Sequence, residues 1–245
     1  MRWGRFATTN HRGVPVPMVL GIALALCATA STVVYAAVRD AGAAAWGSLA
    51  GMLLVLAAGL VDDLAPVGPR GLRNHLRELV SGRMTTGILK LIVTVGASVF
   101  AVALQPERAA YARVAAVVLV AASANVWNGL DVRPGRALKA FVFVCVAFAI
   151  WGDLANFPAM AGLAAGAIVA LPFDLTERAM LGDGGANLLG FAVGLAIADV
   201  LADPWVPVAA VAAVGLNVLA DTVTFSRVID ATPPLRWVDG LGRRT

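Results

Sequence analysis

The sequence is poor in charged residues, in cysteine and in histidine. Charged side chains make up only 14% of the 245 residues, whereas 60% are hydrophobic and the mean hydropathy is +0.82. This composition excludes a soluble domain and is typical of a polytopic membrane protein. A net charge of +4 would suggest nucleic acid for a soluble protein, but here the basic residues lie in short loops. We therefore expect no nucleic-acid partner.

Cysteine and histidine are too scarce to form a site of their own. Cys27 and Cys145 both lie inside apolar runs, which argues against a disulfide, a thiolate metal site and thiol catalysis. His11 and His75 lie far apart in basic segments and have no metal-ligand spacing. The chemistry is therefore expected from carboxylate, amide, lysine and arginine side chains.

The chain contains many long apolar runs. We count eight, at roughly 14–38, 44–61, 87–104, 112–127, 138–151, 157–173, 187–202 and 205–223. They predict an all-α polytopic membrane bundle of about eight transmembrane helices, in a single domain over residues 1–245. The run 112–127 is the weakest candidate for a full span. The first run is too long for a signal peptide, so we expect it to be retained as a helix.

Lys and Arg are distributed unevenly among the loops. Sixteen of the 19 fall at one end of the predicted helices. The positive-inside rule then places both termini and the loops 62–86, 125–137 and 174–186 in the cytoplasm. The acidic residues of these three loops are therefore expected to share one cytoplasmic site.

Two adjacent aspartates, Asp62 and Asp63, end the second apolar run and precede the turn-rich, basic stretch Pro66–Leu72. Like charges at a membrane interface are unfavourable unless a divalent metal, a basic side chain or bulk water compensates them. Lys90 lies about one turn inside the next predicted helix, whose start Thr86 can cap, and directs a cation toward the pair. The alternative is an ordinary positive-inside loop with a stray acidic pair.

A second polar segment ends the fourth run. Asn125, Asn128 and Asp131 are spaced three residues apart, so a helix would present them on one face. With Arg133 and Arg136 beside them, two carboxamides and a carboxylate are suited to reading a nucleotide or holding a phosphate. The alternative is an ordinary helix C-terminus followed by a turn.

A third segment, Gly182–Gly185, places Asp183 among glycines before the seventh run. Glycine lets the backbone approach a ligand closely, and the helix that follows begins with free amides suited to an anion. By itself a Gly-Asp-Gly-Gly segment is weak evidence, because turns often contain it.

Together these segments resemble the polyprenyl-phosphate N-acetylhexosamine-1-phosphate transferase superfamily, which forms glycosyltransferase family 4. Asp62 and Asp63 resemble its paired aspartates, and Lys90 resembles its lysine in the following helix. The segments Asn125–Asp131 and Leu181–Asn187 resemble its Asn-rich Asp-Gly-Leu-Asp loop and its Gly-Asp-Thr-Gly-Ser segment. The order and spacing of these motifs agree over most of the chain.

The resemblance implies transfer of a sugar-1-phosphate from a UDP-sugar to a polyprenyl phosphate such as undecaprenyl phosphate, with release of UMP and dependence on Mg²⁺. The implied partners are the lipid acceptor, the UDP-sugar and the cell membrane, and a homodimer is compatible with it. The implied catalytic residues are Asp62, Asp63, Asp183 and Lys90, of which Asp183 and Asp63 are metal ligands. The implied substrate-binding residues are Asn125, Asn128, Asp131 and Arg133.

Two departures from the family pattern bear on the substrate. Asn128 stands where the family has an aspartate, and Pro233–Asp239 replaces a His-containing motif near the C-terminus. Three hypotheses follow: an active phosphoglycosyltransferase, a relative that binds polyprenyl phosphate or nucleotide-sugar without turnover, and a transporter. A membrane bundle does not require the acidic and basic residues of these motifs, and they therefore favour catalysis: Asp62, Asp63, Lys90 and Asp183. A transporter is least favoured because the predicted helices carry little intramembrane charge.

Overall fold

A computed structural model describes residues 7–9, 13–65, 77–151 and 154–243. Several features of the sequence lie outside the described residues: the segment 10–12 with His11, the stretch Pro66–Leu72, and His75.

Eight helices of 15 or more residues form the body of the described structure. They are α1 (Leu20–Val38), α2 (Ala43–Leu64), α3 (Thr86–Ala103), α4 (Ala110–Leu130), α5 (Arg136–Ile150), α6 (Pro158–Leu175), α7 (Gly182–Val200) and α8 (Val206–Thr222). Two short helices follow, α9 (Phe225–Ala231) and α10 (Pro233–Gly240). A small antiparallel hairpin precedes α1 and consists of β1 (Ala7–Thr9) and β2 (Pro15–Pro17).

Seven helical segments are long and apolar enough to cross a bilayer, the last of which begins at Asp203 and continues through α8. They confirm the predicted all-α polytopic membrane bundle. The exception is α5, whose 15 residues are short for a span, so the run 138–151 forms a shorter helix than the others. The run 112–127, which we considered the weakest, is instead part of the 21-residue helix α4. The helix extends beyond this run to Ala110 and Tyr111 at its start and through Asn128, Gly129 and Leu130 at its end.

Polar contacts identify which helix ends lie together. At one end, Lys90 of α3 contacts Asp62 of α2 and Asp183 of α7. At the other end, the Arg108 guanidinium donates to the carbonyl oxygen of Ala198 at 2.7 Å. The end of α2 and the starts of α3 and α7 therefore meet at the end of the bundle to which the sequence assigns the basic loops.

Helix α7 is the centre of the bundle. Fifteen of its 19 residues are buried, and it packs against α1, α2 and α4. Glycines make several of these contacts, so helix backbones touch directly. A Cβ added to Gly190 would lie 2.3 Å from the carbonyl oxygen of Ser123 in α4. Contact of this kind is typical of small-residue interfaces between membrane helices.

Two pairs of glycines hold the start of α7 between α1 and α2. A Cβ on Gly21 would lie 2.7 Å from the Cα of Gly185, and one on Gly59 would lie 2.3 Å from the Cα of Gly184. No side chain fits at such distances, so these helices meet only because the positions are glycine. The glycines that follow Asp183 thus serve helix–helix contact. Their role in letting a ligand approach stays a prediction.

The contact between α2 and α7 can be tested by adding one methyl group. Gly59→Ala is expected to lower the free energy of unfolding by about 1–3 kcal/mol, because the methyl group has no space against Gly184. Gly96→Ala is the matched control, since a Cβ on Gly96 of α3 meets no atom within 4 Å. It should be neutral or slightly stabilising. Thermal unfolding in detergent measures both, and a Gly59→Ala variant as stable as the control would contradict the contact.

Candidate active site

Lys90 forms the centre of a charged cluster at one end of the bundle. Its Nζ lies 2.9 Å from Oδ2 of Asp62 and 2.6 Å from Oδ2 of Asp183. Oδ1 of Asp62 accepts a hydrogen bond from the hydroxyl of Thr86, one turn before Lys90 on α3. The Asp183 side chain is 36% exposed, against 17% for Asp62, so it is the more accessible carboxylate. The negative charge of Asp62 is therefore compensated by the basic side chain of Lys90.

The start of α3 explains how Lys90 reaches this position. Thr85 is the N-cap, and its hydroxyl accepts a hydrogen bond from the amide of Ile88 at 3.3 Å. The predicted cap, Thr86, lies one residue further on, so its hydroxyl is able to contact Asp62. Because Thr86 and Lys90 are four residues apart, both side chains lie on the helix face that meets α2.

Asp63 has different partners from its neighbour. Its Oδ1 accepts the amide hydrogen of Asp183 at 3.1 Å, and its Oδ2 accepts that of Gly184 at 3.2 Å. A carboxylate at a helix N-terminus satisfies free amides and interacts favourably with the helix dipole. The anion that the sequence led us to expect at these amides is therefore a side chain of the protein itself. The role of Asp63 as a metal ligand stays a prediction.

Backbone contacts hold the other side of the same helix start. The Met180 amide donates to the carbonyl of Pro17 at 2.9 Å, and the Leu20 amide donates to the carbonyl of Met180 at 3.2 Å. One turn into α7, the Asn187 side chain donates to the carbonyl of Asp183 at 2.7 Å. The backbone that carries Asp183 is thus fixed by protein contacts alone.

Asp131 directly follows α4 and belongs to the same acidic surroundings. It retains some exposed surface, although protein atoms crowd its carboxylate. Burial, followed by the charges of Asp174, Asp183 and Asp63, raises the pKa of Asp131 well above its usual value. Several carboxylates therefore lie within electrostatic range of one another, and Lys90 offsets part of their charge.

Two of the predicted substrate-binding residues contact the C-terminal part of the chain. The exposed Asn125 donates from its amide to Oδ1 of Asn217 on α8 at 2.6 Å. The guanidinium of Arg133 donates to both oxygens of Asp230 on α9, at 3.0 and 2.8 Å. The three-residue spacing predicted that Asn125 and Asp131 share one helix face. They have different partners instead, because Asp131 lies beyond the end of α4.

The remaining predicted substrate-binding residue, Asn128, is half-buried on α4. Next to it, Nε1 of Trp127 is buried and has no hydrogen-bond partner, the only such side-chain atom among the described residues. A buried donor without an acceptor costs about 1–3 kcal/mol.

The family model of glycosyl transferase family 4 matches residues 45–200 of the chain. This range is more than half of the sequence and contains Asp62, Lys90, Asp131 and Asp183. The chain belongs to glycosyl transferase family 4. No curated protein and no solved structure matches it.

Membership of glycosyl transferase family 4 confirms the resemblance inferred from the motifs and supports a transferase activity. The matched range ends at α7, so α8, α9 and α10 lie outside it. The segments that supply Asn217, Asp230 and Asp239 therefore belong to the part of the chain that the family model does not cover.

The partners of both arginines that follow Asp131 are not evident from the sequence. Arg136 donates to both oxygens of Asp239, at 2.8 and 3.0 Å, much as Arg133 does to Asp230. These pairs join residues 103 and 97 positions apart. No local spacing rule connects residues so distant, and opposite charge was the only signal in the sequence.

The acidic side chains of the charged cluster are the candidate ligands for Mg²⁺. Within the described ranges, no three His, Cys, Asp or Glu side chains are arranged as a metal site. Mg²⁺ does not need one, because it keeps several waters and binds through one or two carboxylates together with substrate phosphates. Asp183 fits this pattern as a partly exposed carboxylate beside Asp62, so a glycosyl transferase family 4 substrate would complete the ligand set.

Asp131→Asn should stabilise the folded protein at neutral pH. A pKa raised in the folded state means that ionising Asp131 opposes folding, and this cost grows as the pH rises from the usual value of 3.8 through the raised one. The asparagine variant avoids the cost, so its advantage in melting temperature should shrink as the pH is lowered toward 4.

Asp221→Asn, at an exposed aspartate of α8, is the control. Thermal unfolding in detergent between neutral and acidic pH measures both variants. An Asp131→Asn variant less stable than the native chain at neutral pH would contradict the crowding of carboxylates.

Proposed function

We propose that this chain transfers a sugar-1-phosphate from a UDP-sugar to a polyprenyl phosphate at the cytoplasmic face of the cell membrane, in cell-envelope polysaccharide or glycoconjugate synthesis. Family membership and seven candidate membrane spans support a membrane-bound transferase. The observation that carries the proposal is the position of Lys90, within 2.9 Å of Asp62 and 2.6 Å of Asp183. Self-association as a homodimer stays a prediction.

The reaction joins two anionic substrates. An oxygen of the acceptor phosphate attacks the phosphorus that carries the sugar, the bond from this phosphorus to the bridging oxygen breaks, and UMP leaves. The product is a lipid-linked sugar diphosphate. Positioning and charge neutralisation are therefore the main tasks of the protein. A phosphate monoester has a second pKa near ~6, so the acceptor is largely deprotonated at neutral pH and needs little help from a base.

The charged cluster provides groups for these tasks. Asp62 is held by Lys90 and Thr86, and is suited to orienting the acceptor phosphate or accepting a residual proton. Lys90 supplies positive charge for the pyrophosphate of the donor. Asp183 is the proposed ligand of Mg²⁺, which neutralises charge on phosphate oxygens when it is bound. Asp63 acts mainly by holding the start of α7, through the amides of Asp183 and Gly184.

The donor nucleotide is assigned to the segment around the end of α4, as the sequence predicted. Asp131 of this segment supports the assignment, because it lies within electrostatic range of Asp63 and Asp183, and the half-buried Asn128 precedes it. Arg133 is already paired with Asp230, so its contact with a donor phosphate requires that ion pair to open.

A transfer assay tests the proposal. The purified protein is incubated with undecaprenyl phosphate, Mg²⁺ and a panel of UDP-sugars, and both the lipid product and UMP are measured. We expect equal amounts of the two products with at least one donor, and none in EDTA. Asp62→Asn and Asp183→Asn should each lower the rate by about 100- to 1,000-fold. Asp221→Asn, at an exposed aspartate on the same end, should retain the native rate.

The same assay decides between the enzyme and a binding relative. Binding of polyprenyl phosphate that Asp62→Asn weakens, with no product from any UDP-sugar, would contradict the transferase and support a binding protein. Restoring the family residue with Asn128→Asp should alter donor preference or the apparent affinity for Mg²⁺, because a carboxylate binds Mg²⁺ more strongly than an amide does.

A further inference from the structure

The charged side of helix α10 faces the protein. The two oxygens of Asp239 accept hydrogen bonds from Arg136 at 2.8 and 3.0 Å, and from Arg243 at 2.8 and 2.6 Å. Asp239 is 6% exposed and Arg136 is 4% exposed. Nζ of Lys139 lies 2.9 Å from the carbonyl oxygen of Val238 and 2.6 Å from that of Asp239. Two-point contacts between arginine and carboxylate have a defined geometry, so these contacts fix the rotation of α10 against the start of α5.

The apolar side of α10 is turned away from the protein. Trp237 is 69% exposed, and it precedes Asp239 by two residues, which places it about 160° away from this carboxylate around the helix. Three further apolar side chains of the helix and of the residue that follows it are between 45% and 48% exposed: Leu235, Val238 and Leu241. An exposed apolar side therefore runs along α10.

This orientation is the reverse of that of a helix on the surface of a soluble protein. Such a helix packs its apolar side against the core and exposes its charged side to water. In α10 the aspartate is buried and paired with arginines, and the apolar side is left outward, where contact with water is unfavourable. An apolar environment outside the chain would remove this cost.

Helix α10 lies at the level where membrane helices end. The last candidate span ends at Thr222, and Thr224, with a φ of 65°, interrupts helical geometry there. Helices α9 and α10 therefore do not continue the direction of α8. The partners Arg136 and Lys139 lie in the first turn of α5, which follows the end of the span α4. The environment beside α10 is therefore the boundary between bilayer and water.

The exposed charge of the segment 225–243 is positive. Its two aspartates, Asp230 and Asp239, are both paired with arginines that follow α4. Arg227 of α9 and Arg236 of α10 are exposed, and their side chains form no hydrogen bond or ion pair among the described residues. Basic side chains near a bilayer surface are attracted by anionic headgroups. The segment is thus complementary to an anionic lipid surface in charge as well as in polarity.

We propose that α10 lies in the membrane surface, with its apolar side between headgroups and acyl chains and with Arg227 and Arg236 against the phosphates of anionic lipids. Tryptophan and leucine on one side of a helix, together with basic residues, are typical of helices at this boundary. Tryptophan is enriched there because its ring is apolar while its N–H is able to stay hydrated. The proposal concerns a part of the chain outside the matched range and does not rest on transferase activity.

Spin labelling measures the depth of α10 directly. Val238→Cys and Gly240→Cys are made separately in a chain that carries Cys27→Ala and Cys145→Ala. Each variant is labelled with a nitroxide in vesicles of phosphatidylcholine and phosphatidylglycerol. The two positions lie on nearly opposite sides of the helix, because they are two residues apart. Gly240 is the matched control, since a Cβ there meets no atom within 4 Å.

Collisions of each label with oxygen, which concentrates in the bilayer, are compared with collisions with a water-soluble nickel complex. We expect the ratio of oxygen to nickel collisions to be several-fold higher at position 238 than at position 240. An equal ratio at both positions would overturn the proposal. A label at position 238 that is shielded from both reagents would also overturn it, and would indicate a protein partner such as a second copy of this chain.

Thermal unfolding tests the two exposed arginines with the native cysteines in place. The melting temperature of the native chain in phosphatidylcholine nanodiscs should rise when phosphatidylglycerol is added, because the bound lipid stabilises the folded state. A chain with Arg227→Gln and Arg236→Gln should lose most of this rise. Arg227→Lys with Arg236→Lys is the matched control, which keeps the charge and should keep the rise. An equal rise in the native chain and the glutamine variant would overturn the contact with anionic lipid.

Discussion

Direct backbone contact between α7 and its neighbours is the constraint on which the site depends. The contact at Gly59 and Gly184 brings the last turn of α2 against the first turn of α7. At this separation Asp63 reaches the amides of α7, while Asp62, about 100° further round the helix, reaches Lys90. Two adjacent aspartates can therefore take different tasks, one holding a helix start and the other facing the cluster.

Electrostatics links this packing to chemistry. Asp131 lies within electrostatic range of Asp63 and Asp183, and Lys90 offsets only part of the negative charge. Phosphate substrates would add further negative charge, which the proposed Mg²⁺ would offset. The same surplus of carboxylates that opposes folding at Asp131 thus supports a metal-dependent reaction. Sites that perform chemistry often retain such unfavourable charge.

The sequence predicted the helices because each apolar run is long, and it predicted Lys90 because one helical turn sets its position. It could not predict the role of Asp63, whose partner amides lie 120 and 121 positions away. It could not predict that the glycines around Asp183 make helix contacts, because the lack of a Cβ serves helix contact and ligand approach equally well. The partners of Arg133 and Arg136 were also missed, since they lie on helices that follow the last apolar run.

Binding of Mn²⁺ as a substitute for Mg²⁺, followed by electron paramagnetic resonance, tests most directly whether Asp62, Lys90 and Asp183 form one site for metal-assisted phosphate chemistry. With polyprenyl phosphate present, the native protein should bind Mn²⁺ that Mg²⁺ displaces. Asp183→Asn should lose this binding, whereas Asp221→Asn should retain it. Equal Mn²⁺ binding by the native chain and Asp183→Asn would contradict the account.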